Sequence, residues 1–388
     1  MPFYHKLGDI PAVKHTTFYK ADNKSLYREE LVSSKGFSGV YSNLYHHEMP
    51  TSLRSSRKIS MQDDPVWTDA PTIYMHGNTD KHKKTGNFIS SRMTYLQNAS
   101  CRVSIAHVNE TTMDFYRNSR AAEFIFVHEG KGVLYSPFGK NPFGPGDQLV
   151  IPKGTIYQMI FDDLESAKLV IIESVDAFEI PNHYKNDSGQ MQEHAPYCER
   201  DFRPPEFSDP VIEQGEFRII VKSGEQFAEH ILANHPFDVV GWDGYLYPFA
   251  FNIKNFHPKV GRIHLPPPVH LLYTTGSFVI CNFVPRLFDF HEHAVPAPYF
   301  HNNIDSDEVL YYLGGDFMSR KGVSSGSMTL HPGGIPHGPQ PGKTEDSIGK
   351  AETEEYALMI DTFSPLQPTQ AMKASLIDGY PQSWITDD

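Results

Sequence analysis

The sequence predicts an all-β fold with minor α content, arranged as two β-sandwich barrels of jelly-roll type. Two observations predict it. The 388-residue chain is 39% hydrophobic with 26 Phe and 20 Tyr, side chains that suit pleated surfaces, while 30 Pro and 28 Gly supply many corners. The second is an internal repeat: a Glu-x6-Gly spacing followed by Gly-x5-Pro-x-Gly occurs twice, and this length holds two domains with proper cores. The expected division is an N-terminal β-domain over residues 1–180, a connector over 181–253 and a C-terminal domain over 254–388.

Taken in order, residues up to about 70 mix polar and aromatic types, as edge strands and loops around the first barrel do. Cys101-Arg-Val-Ser-Ile-Ala-His-Val108 and Leu169-Val-Ile-Ile-Glu-Ser-Val175 read as strands. From Pro181 to Asp209 the chain turns polar and proline-containing, as a connector does. Gly215 to Lys222 reads as one more strand, and Phe227 to Asn234 as a short helix stopped at Asn234-His-Pro236. The second barrel is expected from about Lys254 to Phe363. Ser364-Pro-Leu-Gln-Pro then leads into a short C-terminal helix near Thr369 to Ile377.

A formal net charge of −13 argues against nucleic-acid binding, which needs clustered Lys and Arg. The densest basic run, Lys81-His-Lys-Lys84, reads as a solvated loop. Cys101, Cys198 and Cys281 are too scattered for a disulfide or zinc framework, so a reducing cytoplasm is the simplest setting. The N-terminal residues lack an apolar signal core, and no stretch is long enough to span a bilayer.

The chemistry is concentrated in the second copy of the repeat. Its first half reads His301-Asn-Asn303-Ile-Asp-Ser-Asp-Glu308-Val-Leu-Tyr-Tyr-Leu-Gly-Gly315 and its second Gly326-Ser-Met-Thr-Leu-His-Pro332-Gly-Gly334-Ile-Pro-His337. The short polar residues after His301 are turn formers, and Val309 to Leu313 reads as a strand. His301 is expected to end one strand and Glu308 to open the next. The glycines and prolines of 332–336 form a sharp corner that delivers His337 to the same interior. Two imidazoles and one carboxylate on one face leave adjacent coordination positions open, as in non-haem Fe(II) oxygenases. Glu308 rather than Asp307 takes the acid's place because six residues separate it from Gly315; Asp307 reads as a solvated turn residue. The two halves resemble the paired cupin motifs, H-x-H-x4-E-x6-G and G-x5-P-x-G-x2-H, with Asn303 in place of the second histidine.

The first copy keeps the frame without the ligands. Glu123-Phe-Ile-Phe-Val-His-Glu-Gly130 and Gly146-Asp-Gln-Leu-Val-Ile-Pro152-Lys-Gly154-Thr-Ile-Tyr157 repeat the spacing, but Tyr116, Asn118 and Tyr157 stand at the histidine positions. A phenol and an amide do not replace imidazoles on Fe(II). Glu123 then reads as a hydrogen-bonded structural carboxylate, and only the C-terminal barrel as metallated.

Gly241-Trp-Asp-Gly-Tyr245, Phe251-Asn-Ile-Lys-Asn-Phe256, Pro298-Tyr-Phe-His301-Asn-Asn303 and the run from Leu330 to Pro339 narrow the resemblance. Together they resemble the homogentisate 1,2-dioxygenases, bicupin Fe(II) enzymes that open the ring of 2,5-dihydroxyphenylacetate in tyrosine and phenylalanine catabolism. The resemblance implies Fe(II) on His301, Glu308 and His337, and an aromatic substrate and O2 as partners. It also implies His264 as acid/base at a ring hydroxyl, His331 facing the substrate, and a homo-oligomer of trimers or hexamers. The family tyrosine that reaches the substrate carboxylate falls on Phe317, which donates no hydrogen bond; Arg286, Arg320 or Tyr299 are the alternatives. A packed or surface histidine fits the context of His264 equally well, and His291-Glu-His293, without a glutamate at the required spacing, reads as a loop. Two other readings stay open: a dioxygenase for another hydroquinone acid such as gentisate, and a non-catalytic metal-binding bicupin.

Overall fold

The computed structural model describes residues 3–61, 64–164, 167–317 and 319–385. It is a cupin-type, nearly all-β fold. Nine-, seven-, six- and four-stranded sheets and a two-stranded ribbon carry the chain, with short α-helices at Lys343–Ser347 and Gln370–Ser375. Among the described residues no helix is long and apolar enough to cross a membrane.

The nine-stranded sheet lies between the two barrel interiors, and its middle strand shows why. Ala167–Ser174 is buried at every position between Cys101–Val108 and Ala122–Glu129, both antiparallel to it. Successive side chains point to opposite faces of a strand. Accordingly Leu169 and Ile171 pack in one core with Tyr116, Leu134 and Tyr157 of the first barrel. Val170 and Ile172 pack in another with Ile280, Val309 and Leu358 of the second. A strand with water on neither face reads as a continuous apolar run, and Leu-Val-Ile-Ile is one.

The halves also exchange strands. Met75–Asn78 pairs with Ser327–His331 at the edge of the six-stranded sheet, and Gln367–Pro368 pairs with Arg92–Gln97. Segments between 181 and 253 complete the first barrel: Gln214–Ser223 runs parallel to Phe115–Asn118, and Phe249–Asn252 pairs with Asp147–Ile151. The helix expected over Phe227 to Asn234 is instead strand Gln226–Asn234. It forms a hairpin with Gln214–Ser223 through Gly224-Glu225 and pairs on its other side with Leu53–Ile59. Gly224 takes φ +66°, which a tight hairpin turn needs. Pairing on both edges outweighs the helix propensity of this run. The C-terminal helix forms where expected, capped by the Thr369 hydroxyl, which accepts from Ala371 N and Met372 N.

Inside the first barrel the degenerate frame holds a guanidinium. Arg92 donates to Glu123 at 2.5 Å, to the Tyr157 hydroxyl at 2.8 Å and to the Tyr116 hydroxyl at 3.3 Å, while the Tyr157 hydroxyl donates to Glu123 at 2.9 Å. Glu123 is therefore a structural carboxylate, and its cation is a side chain from another strand. Next to it Lys222 pairs with Glu173, which also accepts from the Asn118 amide at 3.0 Å. Arg92→Ala would leave Glu123 buried and unanswered. A loss of about 3–5 kcal/mol is expected, read as a lower urea midpoint, with much of it recovered in the Arg92→Met/Glu123→Gln double variant.

Candidate metal centre

The second copy of the frame is assembled by backbone contacts between its halves. His301 and His337 exchange both main-chain hydrogen bonds, N–H to O=C, at 2.8 and 2.9 Å. No regular strand ends at His301, contrary to the expectation; this isolated bridge holds it, because the proline-rich approach cannot supply a ladder. Gly334 N donates to Asn303 O at 2.8 Å, and its φ of +80° makes the corner a glycine position. Glu308 is the second residue of strand Asp307–Gly314.

Alternation along that strand sends Asp307 the other way. Asp307 is buried, and its carboxylate accepts from Gly333 N and Leu366 N, each at 2.7 Å. It is not a solvated turn residue: it fastens the corner after Pro332 to the segment leading into the C-terminal helix. Spacing could not show this, since both donors lie far along the chain.

Ligand atoms of His301, Glu308 and His337 lie within 4.8 Å of one another. His301 Nε2 is 3.5 Å from one carboxylate oxygen of Glu308, and His337 Nε2 is 3.4 Å from the other. In both rings Nδ1 faces a backbone carbonyl, Tyr299 O at 3.3 Å and Ile335 O at 3.1 Å. Nδ1–H donation there leaves the Nε2 lone pairs pointing inward, the tautomer a metal needs. Among the described residues, the buried His337 Nε2 has no hydrogen-bond partner. An orphaned imidazole nitrogen beside a carboxylate that is 4% exposed fits a divalent cation. Glu308 is held well below the usual carboxylate range: burial opposes its charge, but the surrounding imidazoles of His301, His331 and His337 outweigh it. The neighbouring Glu308 carboxylate raises His301 above its ordinary value. About a third of the His301 side chain is exposed, so the group is open on that side.

Behind Glu308 lies His331, fully buried. Its Nδ1–H donates to Glu308 at 2.7 Å, and its Nε2 accepts from the Tyr380 hydroxyl at 3.0 Å. Burial pulls His331 down to about 4, against the pull of Glu308, so the ring is neutral and stacks on His337 at 4.7 Å. This position orients the carboxylate and leaves no ring edge to face a substrate. Tyr380 and Trp384, from the C-terminal segment, cover it, and the Trp384 indole donates to Gly338 O at 3.0 Å. Asp361, opposite Glu308 in the register, is pushed up to about 7, first by burial and then by the charge of Glu308. Neither Tyr380 nor Asp361 belongs to a motif, and only the fold brings them here.

The remaining predicted residues divide. Tyr299 and His264 line a cavity of about 610 Å³ together with Arg262, Asp289, His291 and His293. The Tyr299 ring lies edge-on to both His264 and His301, with centroids at 5.3 and 6.2 Å, and His264 Nδ1 is 3.3 Å from Asp289. His291 and His293, read from sequence as an idle loop, share this cavity. Phe317 does not line it; its ring packs on Tyr312 at 4.7 Å in a small apolar cluster with Ala357. Arg286 lies 3.3 Å from Glu355, and Arg320 donates to Gly338 O at 2.5 Å.

The homogentisate 1,2-dioxygenase N-terminal family model matches residues 46–253. A Saccharolobus solfataricus protein named "Putative dioxygenase" is 39% identical over 389 residues, covering 100% of both chains. The homogentisate 1,2-dioxygenase of Rhizobium etli is 26% identical, covering 93% of this chain and 86% of its own. Among solved structures, a cupin 2 conserved barrel domain protein from Leptotrichia buccalis is 12% identical with a TM-score of 0.31, over 80% of this chain and 97% of that one. On the family match and the full-length relative, the chain belongs to the homogentisate 1,2-dioxygenase family.

Proposed function

We propose that this protein is an Fe(II)- and O2-dependent ring-cleaving dioxygenase acting on homogentisate or a close hydroquinone acid, with His301, Glu308 and His337 as the metal ligands. The observation that carries the reading is the inward convergence of two imidazole Nε2 atoms and one carboxylate, one of those nitrogens buried without a partner. When bound there, Fe(II) supplies a centre on which O2 and a phenolic substrate can meet. The chain's own residues do the rest. His331 holds the Glu308 carboxylate in one orientation, and Tyr380 holds His331. We therefore assign His331 to positioning rather than to contact with the ring.

His264 is the proposed base. With Nδ1–H directed at Asp289, Nε2 is free to accept the ring-hydroxyl proton. Tyr299, between His264 and His301, forms the wall against which an aromatic ring would lie. Arg262 is the one Arg or Lys among the cavity's lining residues, and it suits the substrate carboxylate that Phe317 cannot bind. That change of acid-binding residue favours, as a second reading, a different hydroquinone acid such as gentisate. The proposal includes a cytoplasmic homo-oligomer, trimer or hexamer. The cysteines Cys101, Cys198 and Cys281, all free thiols, accord with a reducing setting.

Oxygen uptake by Fe(II)-loaded protein with homogentisate, and separately with gentisate, tests the activity and ranks the substrates; uptake with neither would defeat the reading. Metal analysis should find one ion per chain, lost in His337→Ala and in Glu308→Ala. Asp307→Asn should retain the metal but melt earlier, losing about 1–3 kcal/mol as a charged acceptor for two buried N–H groups becomes neutral. His264→Gln should keep the metal and lose about 10²–10⁴-fold in kcat, the span typical of a general base. An ordinary kcat would return His264 to a surface role.

A further inference from the structure

A second cavity, of about 280 Å³, opens in the N-terminal half and shares no lining residue with the cavity beside the metal centre. It lies between strands Arg28–Ser33 and Tyr41–His46 on one side and Phe115–Asn118 and Gln226–Asn234 on the other. Arg117 projects into it. Among the described residues its guanidinium has no hydrogen bond and no ion pair, and its Nε is buried without a partner. Burial pulls its pKa down from the ordinary value, opposed by the charge of Glu30. A second buried polar atom of a lining residue, Ser52 Oγ, is also unpartnered among the described residues.

The nearby acids are already engaged. His46 Nε2 donates to Glu30 and Nδ1 to Asp238, both at 2.8 Å, and Asp238 also accepts from Glu48 N at 2.6 Å. A half-buried arginine without an anion is costly, since part of its charge has lost water and gained no pair in return. The guanidinium fork matches a carboxylate, which can accept two parallel N–H bonds. Leu44, Phe138, Ile156 and Leu232 give the cavity apolar walls, and Glu30, on the side facing Arg117, repels a polyanion.

We propose that this cavity binds a small monocarboxylate with an apolar body, its carboxylate on Arg117 and Ser52. The site is separate from the metal centre and adds a ligand that the ring-cleavage reading does not require.

Benzoate is a suitable probe, titrated calorimetrically into the full-length metal-loaded protein. Binding should persist in His337→Ala and weaken at least about tenfold in Arg117→Met, as loss of a charge-assisted pair implies. Ser52→Val, which leaves the charge in place, should weaken it more mildly and serves if Arg117→Met does not fold. Without benzoate, Arg117→Met should melt higher than the parent, because an unpaired charge is removed. Benzoate binding that survives Arg117→Met but is lost in His337→Ala would put the ligand at the metal centre and overturn the proposal. So would absence of binding in the parent. A lower melting temperature of ligand-free Arg117→Met would mean that Glu30 already answers the charge. A changed particle mass for that variant would mean that a second copy does. Either result excludes the site.

Discussion

A carboxylate inside a β-barrel has to be answered by a cation or by N–H donors, because leaving it bare in a medium of low polarity costs more than the fold can spare. Both barrels of this chain keep a glutamate at the same point of the repeated frame, Glu123 and Glu308, and both bury it. Much of the rest follows from how each is answered. In the first barrel Arg92 and the Tyr157 hydroxyl are bonded to Glu123, and the Tyr116 hydroxyl to Arg92, so the charge is neutralised from within. In the second, three imidazoles surround Glu308; among the described residues no arginine or lysine is bonded to it, and one imidazole nitrogen is left over. The first arrangement is complete as a core. The second calls for a cation from outside.

The shared sheet makes these two solutions parts of one structure. Because Ala167–Ser174 faces a different core on each side, the barrels cannot separate without exposing both. The exchanged strands have the same effect, since Met75–Asn78 borders Ser327–His331, the strand that ends at the histidine behind Glu308. Packing and strand pairing with the first barrel therefore support the centre in the second.

Sequence reading was strongest where the information is local. Strand alternation located Cys101–Val108, and turn residues and fixed spacing selected Glu308 over Asp307. It was weakest where a residue's role depends on a partner far along the chain. Asp307 resembled a loop acid because its donors, Gly333 and Leu366, are remote in sequence. Phe227 to Asn234 resembled a helix because nothing local announces the two strands that pair with it. His291 and His293 lacked a spacing that marks ligands, yet a loop folds them into the cavity with His264.

By itself, then, the sequence determined the repeated barrel frame, the convergence of His301, Glu308 and His337, and the loss of that set from the first copy. These depend on periodicity and on turn geometry, which act over a few residues. The tertiary structure alone decided that Arg92 fills the first frame, that His331 turns toward Glu308 and Tyr380, that Phe317 packs on Tyr312, and that Arg117 faces a cavity unpaired. Each of these is a contact between side chains brought together by sheet packing, where burial and hydrogen-bond demand choose the partner and sequence separation plays no part.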